Sequence, residues 1–262
     1  MFAPMTALHL AVLFTASLFF GMALCLEVGR RIGDRRRLHD DQRGRAGAGA
    51  VEGAIFGLLG LLIAFTFSGA YGRFEGRRQL TIAEANNIGT AWLRLDLLPP
   101  ASQPALRGLF RQYVDSRLAA YAKLPDITAA EAEIKHSLQL QNEIWKQAVA
   151  ACQTPDGQRA IMPMLTALNA MFDIVTDRTT ALKTHTPEIV FVMLGVLALI
   201  SALLAGMGMA GAQHRSWVHI LGFTLIVSLT VYVILDLEYP RLGLIRIDAV
   251  DQLLRDVRQS ME

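Results

Sequence analysis

Glu84, Asn87 and Arg94 interrupt an otherwise apolar helical pattern. At about 100° per residue, Leu80, Ile88, Ala91, Leu95 and Leu98 share an arc of roughly 80°, with Glu84 in its middle. Asn87 lies at the edge of that arc and Arg94 beside it. A carboxylate on the packing face of a helix is costly unless it is paired. Asn87 is one turn from Glu84 and within its reach. Arg94 is too far along the helix, so a cationic partner for Glu84 must come from elsewhere in the chain or from another subunit. Two uses fit these residues. They form a polar clasp that sets helix register, within or between subunits, or they line the vestibule of a conduction path or ligand site.

A second set is apolar. Ile63, Phe67 and Tyr71 recur four apart beside a stripe of small residues, Gly53, Gly57, Gly60, Ala64, Ser68 and Gly72. Small stripes let helices approach closely in lipid. Bulky side chains next to such a stripe, one set per subunit, can form a constriction that gates by dewetting. Plain packing or lipid contact explains the same spacing. Gly195, Ala198, Ala202, Gly206 and Ala210 repeat the small-residue pattern further on. Asp236 and Glu238 follow an apolar run, close to Arg241. Acids there can bind or attract a cation or pair with bases, but charges at a membrane edge are ordinarily solvated.

Catalytic constellations are missing. The histidines (His9, His39, His136, His185, His214 and His219) make no HExxH spacing, and no P-loop, GxSxG or dinucleotide fingerprint occurs in context. Cys25 and Cys152 are the only cysteines, too few for a disulfide framework or a zinc ribbon. We expect no enzyme, no metal and no cofactor. A net charge of +2 gives no footprint for nucleic acid.

The elements that must carry these residues are membrane helices. Hydrophobic residues make up 53% of the 262 and charged residues 18%, richer and poorer respectively than a soluble globule. Mean hydropathy is +0.35. A spanning helix needs about 20 mostly apolar residues. Four stretches qualify: 6–26, 53–72, 189–212 and 218–235. The first lacks the basic start and short apolar core of a signal peptide, so it reads as a retained anchor.

Residues 27–52 read as an arginine-rich loop with Arg30, Arg31, Arg35, Arg36, Arg37, Arg43 and Arg45. The positive-inside rule puts that loop in the cytoplasm and residues 73–187 outside. Arg73, Arg77 and Arg78, and Arg241, Arg246, Arg255 and Arg258, pull the other way. The first loop is denser, which tilts the balance toward it.

Residues 73–187 read as a helical extramembrane region. The helix of span two runs on to Pro99-Pro100. Ser102 caps the next helix, Thr128 with Glu131 forms a capping box, and Thr154 caps a fourth helix with Pro155 in its first turn. Thr186-Pro187 starts span three in the same way. Residues 236–262 form a short amphipathic tail. The fold class is all-α.

The segment from Glu84 to Pro99 (EANNIGTAWLRLDLLP) resembles the signature of bacterial bestrophin-like membrane proteins, a family of unassigned function. So do Gly57–Glu75 and the ending from Asp236 to Arg246. The resemblance spans nearly the whole chain. It implies kinship with bestrophins, which are pentameric anion channels whose second helix carries a neck of one aliphatic and two aromatic residues four apart. Ile63, Phe67 and Tyr71 match that spacing, with Tyr in place of a second Phe. No acidic calcium clasp of the animal type is present, and bestrophins keep the middle region cytosolic. The resemblance implies a homo-oligomer in a bacterial inner membrane, in contact with lipid, passing inorganic anions, with the second helix lining the pore. The rival expectation is a non-conducting membrane scaffold or sensor with a helical input domain.

Overall fold

A computed structural model describes residues 4–37, 44–123, 126–211, 217–240, 243–247 and 251–262. Its elements are helices throughout, and the described residues contain no strand. Helix α1 runs Pro4–Arg37 and α2 runs Gly44–Arg94, ending in a 3₁₀ turn at Leu95–Leu97. Then come α3 (Gln103–Ala122), α4 (Ile127–Cys152), a 3₁₀ segment (Pro155–Ala160) and α5 (Ile161–Lys183). Helices α6 (Glu188–Gly208), α7 (Trp217–Glu238) and α8 (Asp251–Gln259) complete the chain. Four stretches are long and apolar enough to cross a membrane, carried by α1, α2, the run ending in α6, and α7.

The expected loop at 27–52 is mostly helix. Arg30, Arg31, Arg35 and Arg36 extend α1 rather than leave it, supported by the i,i+4 pairs Arg31–Glu27 and Arg30–Asp34. Arg43 lies outside the described residues, and Arg45 opens α2. No proline falls between Gly44 and Leu98, and nothing else breaks the helix. Helix α2 therefore runs unbroken for 51 residues, about 76 Å at 1.5 Å per residue. It runs from the apolar helices to the α3–α5 helices as one rod.

Two main cores lie along it. In the spans, Leu18, Met22 and Leu26 of α1 meet Leu59 of α2, Leu194, Ala198 and Ala202 of α6, and Val227 and Val231 of α7. Helices α1 and α6 come closest. A Cβ at Gly206 would collide with the Leu26 carbonyl, and one at Gly29 with the Leu203 carbonyl. The small residues of span three are thus consumed inside the chain. Those of span two are not: a Cβ at Gly53, Gly57, Gly60 or Gly72 would meet nothing within 4 Å.

The second core joins the C-terminal part of α2 to α3, α4 and α5. Ile88, Ala91 and Leu95 pack against Leu106, Phe110, Tyr113 and Val114 of α3, Ile144 and Ala148 of α4, and Met164, Leu168 and Met171 of α5. Leu254 and Met261 enter the same core, so the C-terminal tail docks instead of lying free, and Arg111 Nε donates to the Met261 carbonyl at 2.9 Å.

Several expected caps differ. Ser102 makes no side-chain cap; the Gln103 amide donates to the Leu98 carbonyl instead. Asp126, not Thr128, caps α4 by accepting from Ala129 N at 3.0 Å. Asp126 stands at the true helix start and satisfies a first-turn amide, so no box with Glu131 is needed. Thr154 does cap, accepting from Gly157 N at 3.2 Å, but the first turns after it are 3₁₀. Thr186 leaves the start of α6 uncapped, because its hydroxyl is taken by a charged partner described below.

Candidate functional site

Helix α2 buries one face from Leu59 to its C-terminal end. Leu59, Thr66, Ala70, Arg77, Thr81, Glu84, Ile88, Ala91 and Leu95 are all buried and fall within about 80° of arc at 100° per residue. Three polar residues of its upper half dock on α5, in antiparallel order. The Glu84 carboxylate takes Arg178, Asn87 Nδ2 donates to the Ala170 carbonyl at 2.9 Å, and Arg94 Nη1 donates to the Pro163 carbonyl at 2.5 Å. Glu84 and Asn87 therefore serve different partners rather than each other.

Glu84 is the centre of a buried knot. It is 0% exposed, and Arg117 and Arg178 are 3% and 5% exposed. Arg117 Nε donates to Glu84 Oε1 at 2.7 Å, and Arg178 Nη1 is bonded to Oε2. The Tyr121 hydroxyl stands 3.4 Å from Oε2, takes Arg117 Nη2 at 2.5 Å, and offers its ring to Arg178 at 4.4 Å. The partner that Glu84 requires comes from elsewhere in the same chain. Burial works against the charge of Arg117, but Tyr121 and the Glu84 carboxylate outweigh it, and its pKa lies above the ordinary arginine value. Burial raises the Tyr113 phenol, which accepts from Gln141 Nε2 at 3.2 Å.

A second knot ties α2 to the turn between α5 and α6 and to the end of α7. Glu238 and Asp236, expected to be solvated, are 2% and 3% exposed. Glu238 Oε1 accepts from Arg73 Nη2 at 2.5 Å and from Thr186 Oγ1 at 2.6 Å, and His185 Nδ1 lies 3.5 Å from Oε2. Asp236 accepts from Leu244 N at 3.1 Å and Ile245 N at 2.7 Å. The chain folds back after α7 and brings its own backbone donors over the acid, which is why water is not needed there. Arg77 Nε donates to the Ala181 carbonyl, Nη2 to Thr184, and Nη1 to Glu238. Arg241 lies outside the described residues.

The opposite side of α2 is open. Phe67 and Tyr71 are 41% and 52% exposed and stack on each other, centroids 6.5 Å apart. Gly53, Gly57, Gly60, Ala64 and Ser68 share this exposure. Ile63 stands apart from the aromatics, packed partly into the span core and against a smaller cluster of Ala70, Ile234 and Leu237. The trio thus winds from the covered side to the open side. No group of three or more His, Cys, Asp or Glu that could hold a metal occurs among the described residues.

A family model described as Bestrophin-like domain matches residues 18–251. The chain belongs to the bestrophin-like family. No curated protein and no solved structure matches it. This bestrophin-like chain is a membrane protein: family and apolar helices agree, and the apolar helices contact lipid. Sequence reasoning on it missed Arg117, Tyr121 and Arg178 as partners of Glu84, and Arg73, His185 and Thr186 as partners of Glu238. One signal was present for the first set. Arg117 follows Val114 by three and precedes Tyr121 by four, and Arg178 stands in the same relation to Val175 and Leu182. An arginine in the apolar register of a helix is an anomaly equal to that of Glu84.

Proposed function

We propose that this protein is a homo-oligomeric ion channel, permeable to anions, with α2 lining the pore. The observation that supports it most is the open face of α2. A helix packed along one face from Leu59 onward, yet bare along the other, presents that face to a pore, to lipid or to another copy. Small residues at Gly53, Gly57, Gly60, Ala64 and Ser68 keep such a path wide, and the exposed Phe67 and Tyr71 narrow it. Apolar rings in a narrow pore gate by dewetting. Kinship with bestrophins supplies the anion preference by analogy. In this reading Ile63 backs the constriction, and Glu84, Asn87 and Arg94 hold the wall of the vestibule from behind.

Ion flux from liposomes carrying the purified protein tests this. Phe67→Ala widens the constriction and raises flux severalfold over wild type. Unchanged flux in a conducting protein removes the aromatic constriction. No flux from either, with both folded and inserted, favours the second reading. That reading is a non-conducting sensor or scaffold, and the unbroken α2 rod between membrane and extramembrane core supports it.

A further inference from the structure

Helix α1 carries an apolar stripe that the rest of the chain leaves uncovered. Leu13, Phe20, Leu24 and Val28 are all exposed. At 100° per residue they fall within about 80° of arc, and Arg31 and Arg35 continue the same arc. The buried Leu18, Met22 and Leu26 lie on the opposite face. Arg31 and Arg35 are one turn apart, so their side chains are neighbours on the helix surface. Both are exposed. Arg31 Nε donates to Glu27 Oε1 at 3.0 Å, yet the side chain stays 71% exposed.

Contacts between α1 and α6 set the level of these arginines. A Cβ at Gly33 would collide with Ala210 and with the Met207 carbonyl, where α6 ends at Gly208. Asp34 then accepts from Gly211 N at 2.7 Å. Exposed Trp217 opens α7. One apolar helix ends and the next begins at this level, and tryptophan favours the membrane–water interface. From residue 27 to residue 36, four arginines meet two acids, Glu27 and Asp34, which leaves an excess of positive charge. Asp34 is also engaged by Gly211 N. A guanidinium matches the oxygens of a phosphate, and basic residues at a membrane edge attract anionic lipid.

We propose that this stripe and its two arginines bind one anionic glycerophospholipid. Its phosphate sits on Arg31 and Arg35, and an acyl chain runs along Val28, Leu24 and Phe20. Any lipid can cover the apolar part; the two arginines on the same arc select the negative headgroup. The lipid ties the end of α1 to its leaflet. The stripe is on α1, not on α2, so the site stands whether or not the protein conducts.

Thermal unfolding of the full chain tests it, in detergent micelles doped with phosphatidylglycerol or with phosphatidylcholine at equal mole fraction. Phosphatidylglycerol raises the midpoint by several degrees over phosphatidylcholine and saturates. Arg31→Gln with Arg35→Gln cuts that gain to less than half. Arg31→Gln alone lowers it part-way, which keeps a readout if the double variant does not fold. Arg159→Gln removes a positive charge from the segment before α5 and leaves the gain intact. Inorganic phosphate, which has no acyl chain, gives no gain. Equal midpoints in the two lipids overturn the proposal. So does a gain that survives in the Arg31 and Arg35 variants, that falls as far in Arg159→Gln, or that inorganic phosphate reproduces. Disulfide ladders from Phe20→Cys, absent from wild type on the same mild oxidation, would put a second copy on the stripe and overturn it too.

Discussion

Glu84 holds two buried guanidinium groups, and its removal strands both. Glu84→Ala is expected to destabilise the core shared by α2, α3, α4 and α5 by about 3–5 kcal/mol, the cost of breaking a buried ion pair. Chemical denaturation in micelles, followed by circular dichroism, measures it; a loss below about 1 kcal/mol would mean the knot is well hydrated. Asp236 gives a second residue-level expectation. A Cβ at Gly243 would collide with its carboxylate. Gly243→Ala therefore pushes Asp236 off the backbone donors of Leu244 and Ile245, costing about 1–3 kcal/mol. In an Asp236→Ala background the same change costs much less, and a double-mutant cycle showing full additivity would refute the contact. Glu84 was visible in the sequence as a carboxylate in an apolar arc. Its partners were not, since Arg117 and Arg178 are 33 and 94 residues away and only packing brings them together.

At the level of elements, glycines on different helices do different work. Gly206 lets α6 touch the backbone of α1 at Leu26, and Gly206→Val forces the two apart. Overpacking of this kind costs about 1–3 kcal/mol or more. The same change at Gly57 meets nothing inside the chain. A lower thermal midpoint for Gly206→Val but not for monomeric Gly57→Val is the expected result; equal loss at both positions would contradict the packing. The small-residue spacing of spans two and three looks alike in the sequence. Periodicity states that a helix face is small, not which neighbour uses it. Helix existence was legible because apolar length and the absence of proline are local properties. Helix starts were less so: Asp126, Ser102 and Thr186 show that a cap depends on where the chain turns and on who competes for the hydroxyl.

For the whole molecule, the bare face of α2 carries the oligomer expectation. Ala64→Cys should form disulfide ladders between copies on mild oxidation, whereas Val196→Cys, exposed on α6, should not. The reverse pattern would move the subunit contact to the other side of the spans. The amino-acid sequence by itself determined an all-α membrane protein with four apolar spans, a helical region between the second and third, and an acid at 84 in need of a partner. These follow from hydropathy, period and the cost of a buried charge, which neighbours in sequence express directly. Only the tertiary structure decided that Asp236 and Glu238 are buried, and that one glycine stripe is spent inside the chain while the other stays open. Those outcomes depend on which distant segments fill the space around a residue, and burial is a property of that space.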